Sequence, residues 1–355
     1  MPVAGKGRRG VLIVGDCPNE SEDEEGKPFV GKAGQYLHDA LDEVGVDLDE
    51  DCWSTNALIC RPSNNKTPDD LQIDYCRPNL AATIAYTRPR IVLALGRSAL
   101  LSVLQPYWLA IGPLTRWTRW QIPLRNHWIC PTDHPAYLLR MNNELLNKMF
   151  LADLENAFAL KGYPKANNDV MVEKLYDDEA IAAALDTFED SEWVAFDYET
   201  NCLKPEYPGG KIYCAGVSDG KRTISYPWVG KAIKRTGEFL LSKGPRKIAS
   251  NLKFEERWTR QTFGHGVRRW GWDTMLGAHV IDSREGITSL KFQALVKLGV
   301  PAYNTAIEPY LSSGKNRLNR IGEIAMPDLL NYNGADCVLE YRLAMVQRKE
   351  MQYQD

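Results

Sequence analysis

The sequence predicts an α/β protein of two domains: a parallel sheet with helices on both faces, then a second α/β domain with hairpins in its sheet. Three observations predict it. At 355 residues the chain is too long for one ordinary core, given a prior of ~150 residues per domain. In the first half, short apolar runs of strand character alternate with amphipathic stretches of helical period, the pattern of a helix-covered parallel sheet. Between the two patterned halves lies Gly162-Tyr163-Pro164-Lys165-Ala166-Asn167-Asn168-Asp169, polar and carrying Gly and Pro, as linkers do. The expected boundaries are 1–161 for the first domain, 162–169 for the linker and 170–355 for the second.

In chain order, Val11 to Gly15 reads as a buried strand that ends in a turn at Asp16-Cys17-Pro18-Asn19. Gly34 to Val44 reads as a helix with Tyr36, Leu37, Leu41 and Val44 on one side, the spacing of a core-facing stripe. Strands are expected at Cys52 to Ile59, Ile91 to Leu95 and Trp128 to Pro131, with helices at Leu71 to Tyr86, Arg97 to Leu104 and Asn143 to Leu160. The second half opens with a strand (Val170 to Leu175), a helix (Asp178 to Phe188) and a strand (Trp193 to Tyr198), then strands near Ile212 to Ser218 and Arg222 to Pro227.

Composition is 44% apolar and 25% charged, and no apolar run approaches the ~18 to 20 residues that span a bilayer. No membrane association is expected. Met1 to Gly10 has charge but no apolar core behind it, so no secretory signal is read and the expected location is cytoplasmic. A net charge of −3 argues against a uniformly basic coat for nucleic acid, though not against an enzyme with a local basic groove. The eight cysteines include no C-x-x-C pair and are expected as free thiols.

Trp193-Val194-Ala195-Phe196-Asp197-Tyr198-Glu199-Thr200 is an apolar strand that ends in acids. Alternate strand residues share a face, so Asp197 and Glu199 project together, an arrangement that a divalent cation makes favourable. A lone D-x-E is most often a solvated strand end. Here it is followed by Asn251-Leu252-Lys253-Phe254-Glu255 and by Tyr332-Asn333-Gly334-Ala335-Asp336, which sets a phenol and a carboxylate on one helix face.

In that order the three elements resemble the proofreading exonuclease of bacterial DNA polymerase I and its DEDD relatives, Tyr subclass. Trp272-Asp273-Thr274-Met275-Leu276 and Ser289-Leu290-Lys291 extend the resemblance. It implies a ribonuclease H-like mixed sheet and two-metal phosphodiester hydrolysis at a single-stranded or frayed 3′ DNA end. Asp197, Glu199, Glu255 and Asp336 would hold two Mg²⁺ or Mn²⁺ ions, Tyr332 would orient the water, and Asn251 would fix the DNA or the motif. The family has Asp where this chain has Glu255, a displacement of ~1.5 Å on a scale where misplacement costs ~10²-fold. Glu256 is the alternative ligand.

The first half is similar to family 4 uracil-DNA glycosylases. The similarity is carried by Gly15-Asp16-Cys17-Pro18-Asn19, Lys27 to Gly34, Ser54-Thr55-Asn56, Cys60-Arg61-Pro62, Leu95-Gly96 and His134 to Arg140. It implies an α/β/α glycosylase-like domain that reads a flipped base in a pocket. Asn56 would pair with the uracil edge, Phe29 would stack on the base, and His134 would donate to O2 as charge develops. Asp16 would act on water or the sugar, and Leu138, Leu139 and Arg140 would wedge the duplex. The family also holds a 4Fe–4S cluster on four cysteines. Cys60 and Cys76 match the last two of these and the first pair is missing, so no cluster is expected.

Leu114 to Ile122, with Trp117, Trp120, Arg116 and Arg119, reads either as a DNA-facing ribbon or as a hairpin with a buried Trp face. Some bacteriophage polymerases carry a glycosylase-like domain ahead of exonuclease and polymerase domains. With only a short stretch after Asp336, the polymerase is expected on a separate chain. The alternatives are a stand-alone repair enzyme that excises uracil and trims 3′ ends, or a degenerate DNA-binding subunit.

Overall fold

A computed structural model describes residues 1–165, 169–311 and 317–352. It divides into two compact units, Met1–Asn167 and Asn168–Asp355. Residues 166–168 of the expected linker lie outside the described residues.

The first unit is built on β1 (Val11–Gly15), β2 (Cys52–Asn56), β3 (Ile91–Leu95), β4 (Ile122–Leu124) and β5 (His127–Thr132), in the order β2-β1-β3-β5-β4. Only β4 is antiparallel, paired with β5. Every residue of β1 and β3 is buried, which is why they read as unbroken apolar runs. Parallel pairing brings the C-terminal ends of β1, β2, β3 and β5 to one edge, the usual ligand edge of an α/β sheet. The chain leaving those ends supplies Asp16, Asn56, Gly96 and His134. Gly96 has φ of +88°, and a Cβ there would meet Asp16 Oδ1 at 3.0 Å and His134 Cβ at 3.1 Å, so the turn needs glycine for conformation and for space.

The second unit contains β6 (Glu173–Lys174), β7 (Trp193–Thr200), β8 (Ile212–Ser218), β9 (Thr223–Pro227), β10 (Arg246–Ala249) and β11 (Trp270–Asp273), in the order β11-β10-β7-β8-β9-β6. β8 runs antiparallel to β7 and β9, while β10 and β11 run parallel to β7. This is the mixed, ribonuclease H-like sheet expected. The helix Met326–Glu350 packs across β7, β8 and β9. Its close approach depends on Gly216 in β8, where a Cβ would lie 2.5 Å from Asn333 Oδ1 and 2.8 Å from Cys337 Sγ.

Three sequence expectations differ from the structure. β2 stops at Asn56, because Ala57 and Leu58 turn to donate to the carbonyls of Gly15 and Asp16. The strand expected at Val170 to Leu175 shrinks to Glu173–Lys174, an exposed edge paired only with β9. The Leu114 to Ile122 segment is no ribbon: it makes a 3₁₀ turn at Leu114–Arg116. Trp117 and Trp120 are buried, their indole N–H groups donate to the carbonyls of Ile111 and Arg116, and the Arg116 guanidinium lies 5.5 Å from the Trp117 ring centroid. Its aromatic side packs inward. No helix among the described residues is long and apolar enough to cross a membrane.

Candidate active sites

The first unit forms a cavity of about 210 Å³, lined by Asp16, Phe29, Asn56, His134 and Arg140 among others. Asn56, at the end of β2, is 4% exposed, and its Nδ2 has no hydrogen-bond partner. A buried amide donor left open is costly unless a ligand acceptor completes it. A Cβ on Gly15 would collide with Asn56 Oδ1 and reach the Phe29 ring at 3.0 Å, so bare backbone lets the amide and the ring share one wall. Phe29 sits in the left-handed region with φ of 60°, a conformation that a bulky residue holds only under constraint.

The constraint comes from Glu22, a buried acid that the sequence reading missed. Glu22 accepts from the backbone N–H of Phe29 at 2.5 Å and of Asn19 at 2.8 Å. Asn19 in turn caps the helix Glu20–Glu25 by accepting from Glu22 N. The N-x-x-E capping box was the signal that could have found it.

His134 is the N-cap of the helix Pro135–Met141, and its Nδ1 accepts from Ala136 N at 3.1 Å. That bond puts the imidazole proton on Nε2 in the neutral ring. Burial holds the His134 pKa below its ordinary value against the pull of Asp16 and Glu22, and Arg140 adds to the lowering, so the ring is a neutral donor. Asp16 Oδ1 accepts from Ser98 N at 3.1 Å. Cys17 is pushed up to about 12 by burial, then by Asp16 and Glu22, and is an inert thiol. In the proposed wedge, Leu138 is a core residue at 1% exposure, whereas Leu139 is 45% exposed.

The donors for an iron–sulfur cluster are not assembled. Ile59 N donates to Cys76 Sγ at 3.3 Å, and Cys60 is exposed. Among the described residues, no group of three or more ligating side chains includes either cysteine. Two thiolates do not fit the cluster.

In the second unit, Asp197 and Glu199 from β7 meet Asp336 from the helix Met326–Glu350, each offering an oxygen within 4.8 Å of the others. Asn333 orients Asp197: its Nδ2 donates to Asp197 Oδ2 at 2.9 Å and its Oδ1 accepts from Ser225 Oγ at 2.7 Å. Lys291 pairs with Asp336 Oδ2, and the Tyr303 hydroxyl donates to Asp336 Oδ1. The Lys291 ammonium also lies 4.8 Å from the ring centroid of Tyr332, whose side chain is 7% exposed.

Burial, then the charge of Asp336, pushes Asp197 up to about 7. Burial, then Asp197 and Asp336, carries Glu199 well above its ordinary value. Burial opposes the Lys291 charge, but Asp336, Tyr303 and Tyr332 hold it well above its usual pKa. Buried, crowded carboxylates retain protons because Lys291 alone does not offset their combined charge. Hard oxygen donors at this spacing fit a hard divalent cation that would displace those protons.

Glu255 stands outside the three-acid group. It is 1% exposed, its Oε2 has no partner, and after burial Asp197 opposes its charge. Glu256 is engaged elsewhere, with Arg260 at 2.6 Å, Val267 N at 2.9 Å and Trp270 Nε1 at 3.0 Å. Asn251 is exposed with φ of 68°, and its backbone N–H donates to Asp273 Oδ1 at 3.0 Å. Asp273 also accepts from Leu252, Met275 and Leu276 N–H groups, stapling two helix starts together.

The chain is similar to several known proteins. A DNA polymerase of Bacillus phage SP01 is 25% identical over an alignment of 390 residues that takes in 97% of this chain and 40% of the phage protein. The catalytic core of RRP6 from Trypanosoma brucei covers 52% of this chain and 47% of its own, at 14% identity and a TM-score of 0.42. The type-4 uracil-DNA glycosylase of Pyrobaculum aerophilum is 38% identical over 144 residues, 39% of this chain and 73% of that enzyme. The Uracil DNA glycosylase superfamily profile matches residues 2–158, and through these residues the chain belongs to that superfamily.

Proposed function

We propose that the second unit is a 3′→5′ DNA exonuclease of the proofreading type and that the first reads, and releases, uracil. The carrying observation is the convergence of Asp197, Glu199 and Asp336 within 4.8 Å. Two divalent ions held by these acids with Glu255 would supply an activated water and neutralise the departing 3′ oxygen.

The chain's own groups fix the geometry around that chemistry. Asn333 pins one carboxylate and Lys291 with Tyr303 pins another. Burial, then Asp336, keeps the Tyr332 hydroxyl protonated, well above its ordinary pKa, so it orients water and does not act as base. Lys291 sets a positive charge beside the acids, suited to a scissile phosphate. Incubating a 3′-labelled oligonucleotide with Mg²⁺ or Mn²⁺ should release mononucleotides, and Asp197→Ala should not. Metal-independent release, or none by wild type, would refute the exonuclease.

In the first unit, the open Asn56 Nδ2 matches the O4 acceptor of uracil and meets only a donor on cytosine. As the C1′–N1 bond breaks, its electron pair leaves with the base, and neutral His134 stabilises O2 through Nε2–H. Water then adds to C1′ and yields its proton toward Asp16, held by Ser98 N–H. The alignment with the phage polymerase supports a role in company with DNA polymerisation. Co-elution with a polymerase from the same genome in gel filtration should show it, and separate elution would count against it. A degenerate DNA-binding subunit would instead bind both substrates and convert neither.

A further inference from the structure

This inference rests on the exonuclease reading. Among the described residues of the second unit, two carboxylate oxygens are buried without a hydrogen-bond partner, Oε2 of Glu255 and Oε2 of Glu340. Glu340 is 2% exposed and lies one helical turn beyond Asp336 on the helix Met326–Glu350, so the two acids project from one face. After burial, the like charges that act on Glu340 are those of Asp197, Glu255 and Asp336, with Lys291 opposing them. It belongs to the same electrostatic neighbourhood, though not to the three acids already in mutual reach.

A buried carboxyl with an oxygen left open is among the costliest polar arrangements a core can hold, and a glutamine or an apolar side chain would fill the space without repulsion. A charge count supplies the reason for an acid. Beside Asp197, Glu199, Glu255, Asp336 and Glu340 stands Lys291, which pairs with Asp336 and acts on Asp197, Glu199 and Glu340. Fully ionised, the five acids and the lysine carry four negative charges, which two divalent cations cancel. Without Glu340 the cations would be in excess.

We propose that Glu340 is a fifth carboxylate of the cation centre, its negative charge being part of what would hold a second divalent ion there. Its side chain is a structural filler in neither charge nor cost: the position is unfavourable in the ion-free protein and becomes favourable on loading.

The test is Mn²⁺ binding to the full chain by equilibrium dialysis, with thermal unfolding in EDTA and in Mn²⁺, for wild type, Glu340→Gln and Glu340→Asp. Wild type should bind two ions. Glu340→Gln should weaken the second by at least ~10-fold, unfold no earlier than wild type in EDTA, and gain less from Mn²⁺, since like-charge repulsion and cation affinity fall together. Glu340→Asp keeps the charge and should retain more of the second ion than Gln does. Wild-type binding by Glu340→Gln, or equal loss in Gln and Asp, would overturn the proposal. No Mn²⁺ bound by wild type would instead bring down the exonuclease reading beneath it.

Discussion

The two sites carry their unfavourable energy differently. In the pocket of the first unit nearly every polar group is already held: Glu22 grips two backbone N–H groups, His134 is fixed through Nδ1, and Asp16 is tied to Ser98. One amide, Asn56 Nδ2, stands open. In the second unit like charges are pressed together, and protons and Lys291 hold them in check. On the proposed reading the first site is preorganised for a neutral base and needs only the substrate. The second would stay poised against itself until cations enter, so metal should govern one unit's chemistry and stability and leave the other's untouched.

The largest expected break in that contrast is Asp197→Ala, which should lower 3′ nucleotide release by on the order of 10³-fold or more and leave uracil release unchanged, both read on one oligonucleotide. Next is Asn56→Ala. A pocket built around a hydrogen-bonded edge loses ~10² to 10⁴-fold when that pairing is removed, and the nuclease rate should not move. Equal losses in both activities would mean that the variant had merely unfolded.

Lys291→Met should destabilise the metal-free chain by roughly 3 kcal/mol, because it strips a buried carboxylate of its partner, and by less in Mn²⁺. Denaturant titration with and without the ion checks this. A loss of the same size in both conditions would show that Lys291 does not share its work with a cation.

The pH dependence of the first unit follows from His134, whose pKa lies below its ordinary 6.5. Such a ring is neutral in the fold where the unfolded ring gains a proton, so its contribution to stability is present above 6.5 and is lost as pH falls below it. Uracil release should hold its rate as pH falls through 6.5. A rate that climbs there would make imidazolium the donor. The smallest effect is expected for Glu22→Gln, which weakens charge-assisted bonds to Phe29 and Asn19 by about 1 to 2 kcal/mol, seen as a lower melting temperature and a higher KM for the uracil-containing strand.

What could be read from the sequence divides along the same line as the physics. β1 and β3 were legible because burial on both faces demands unbroken apolar runs. Strand and helix periods made Asp197 with Glu199, and Tyr332 with Asp336, legible only as pairs on shared faces; that the pairs belong to one site came from the family resemblance, and the structure brings Asp197, Glu199 and Asp336 together. Lys291 and Tyr303 come from segments distant from the acids they touch, and no local period announces such contacts. Asn333 sat inside a quoted motif yet looked like a neutral helix residue until Gly216 let the helix descend onto β8. Glu340 follows the motif by one turn, but its burial depends on the whole sheet beneath it. Asn251 was named from its motif, whereas the fold uses its backbone at the Asp273 staple and turns its side chain outward.

The contrast between the two units rests most directly on one oligonucleotide, carrying an internal uracil and a 3′ label, incubated with the intact chain in Mn²⁺ and in EDTA. The expected result is label release in Mn²⁺ only and an abasic site in both. Label release that survives EDTA, or uracil release that EDTA abolishes, would contradict it.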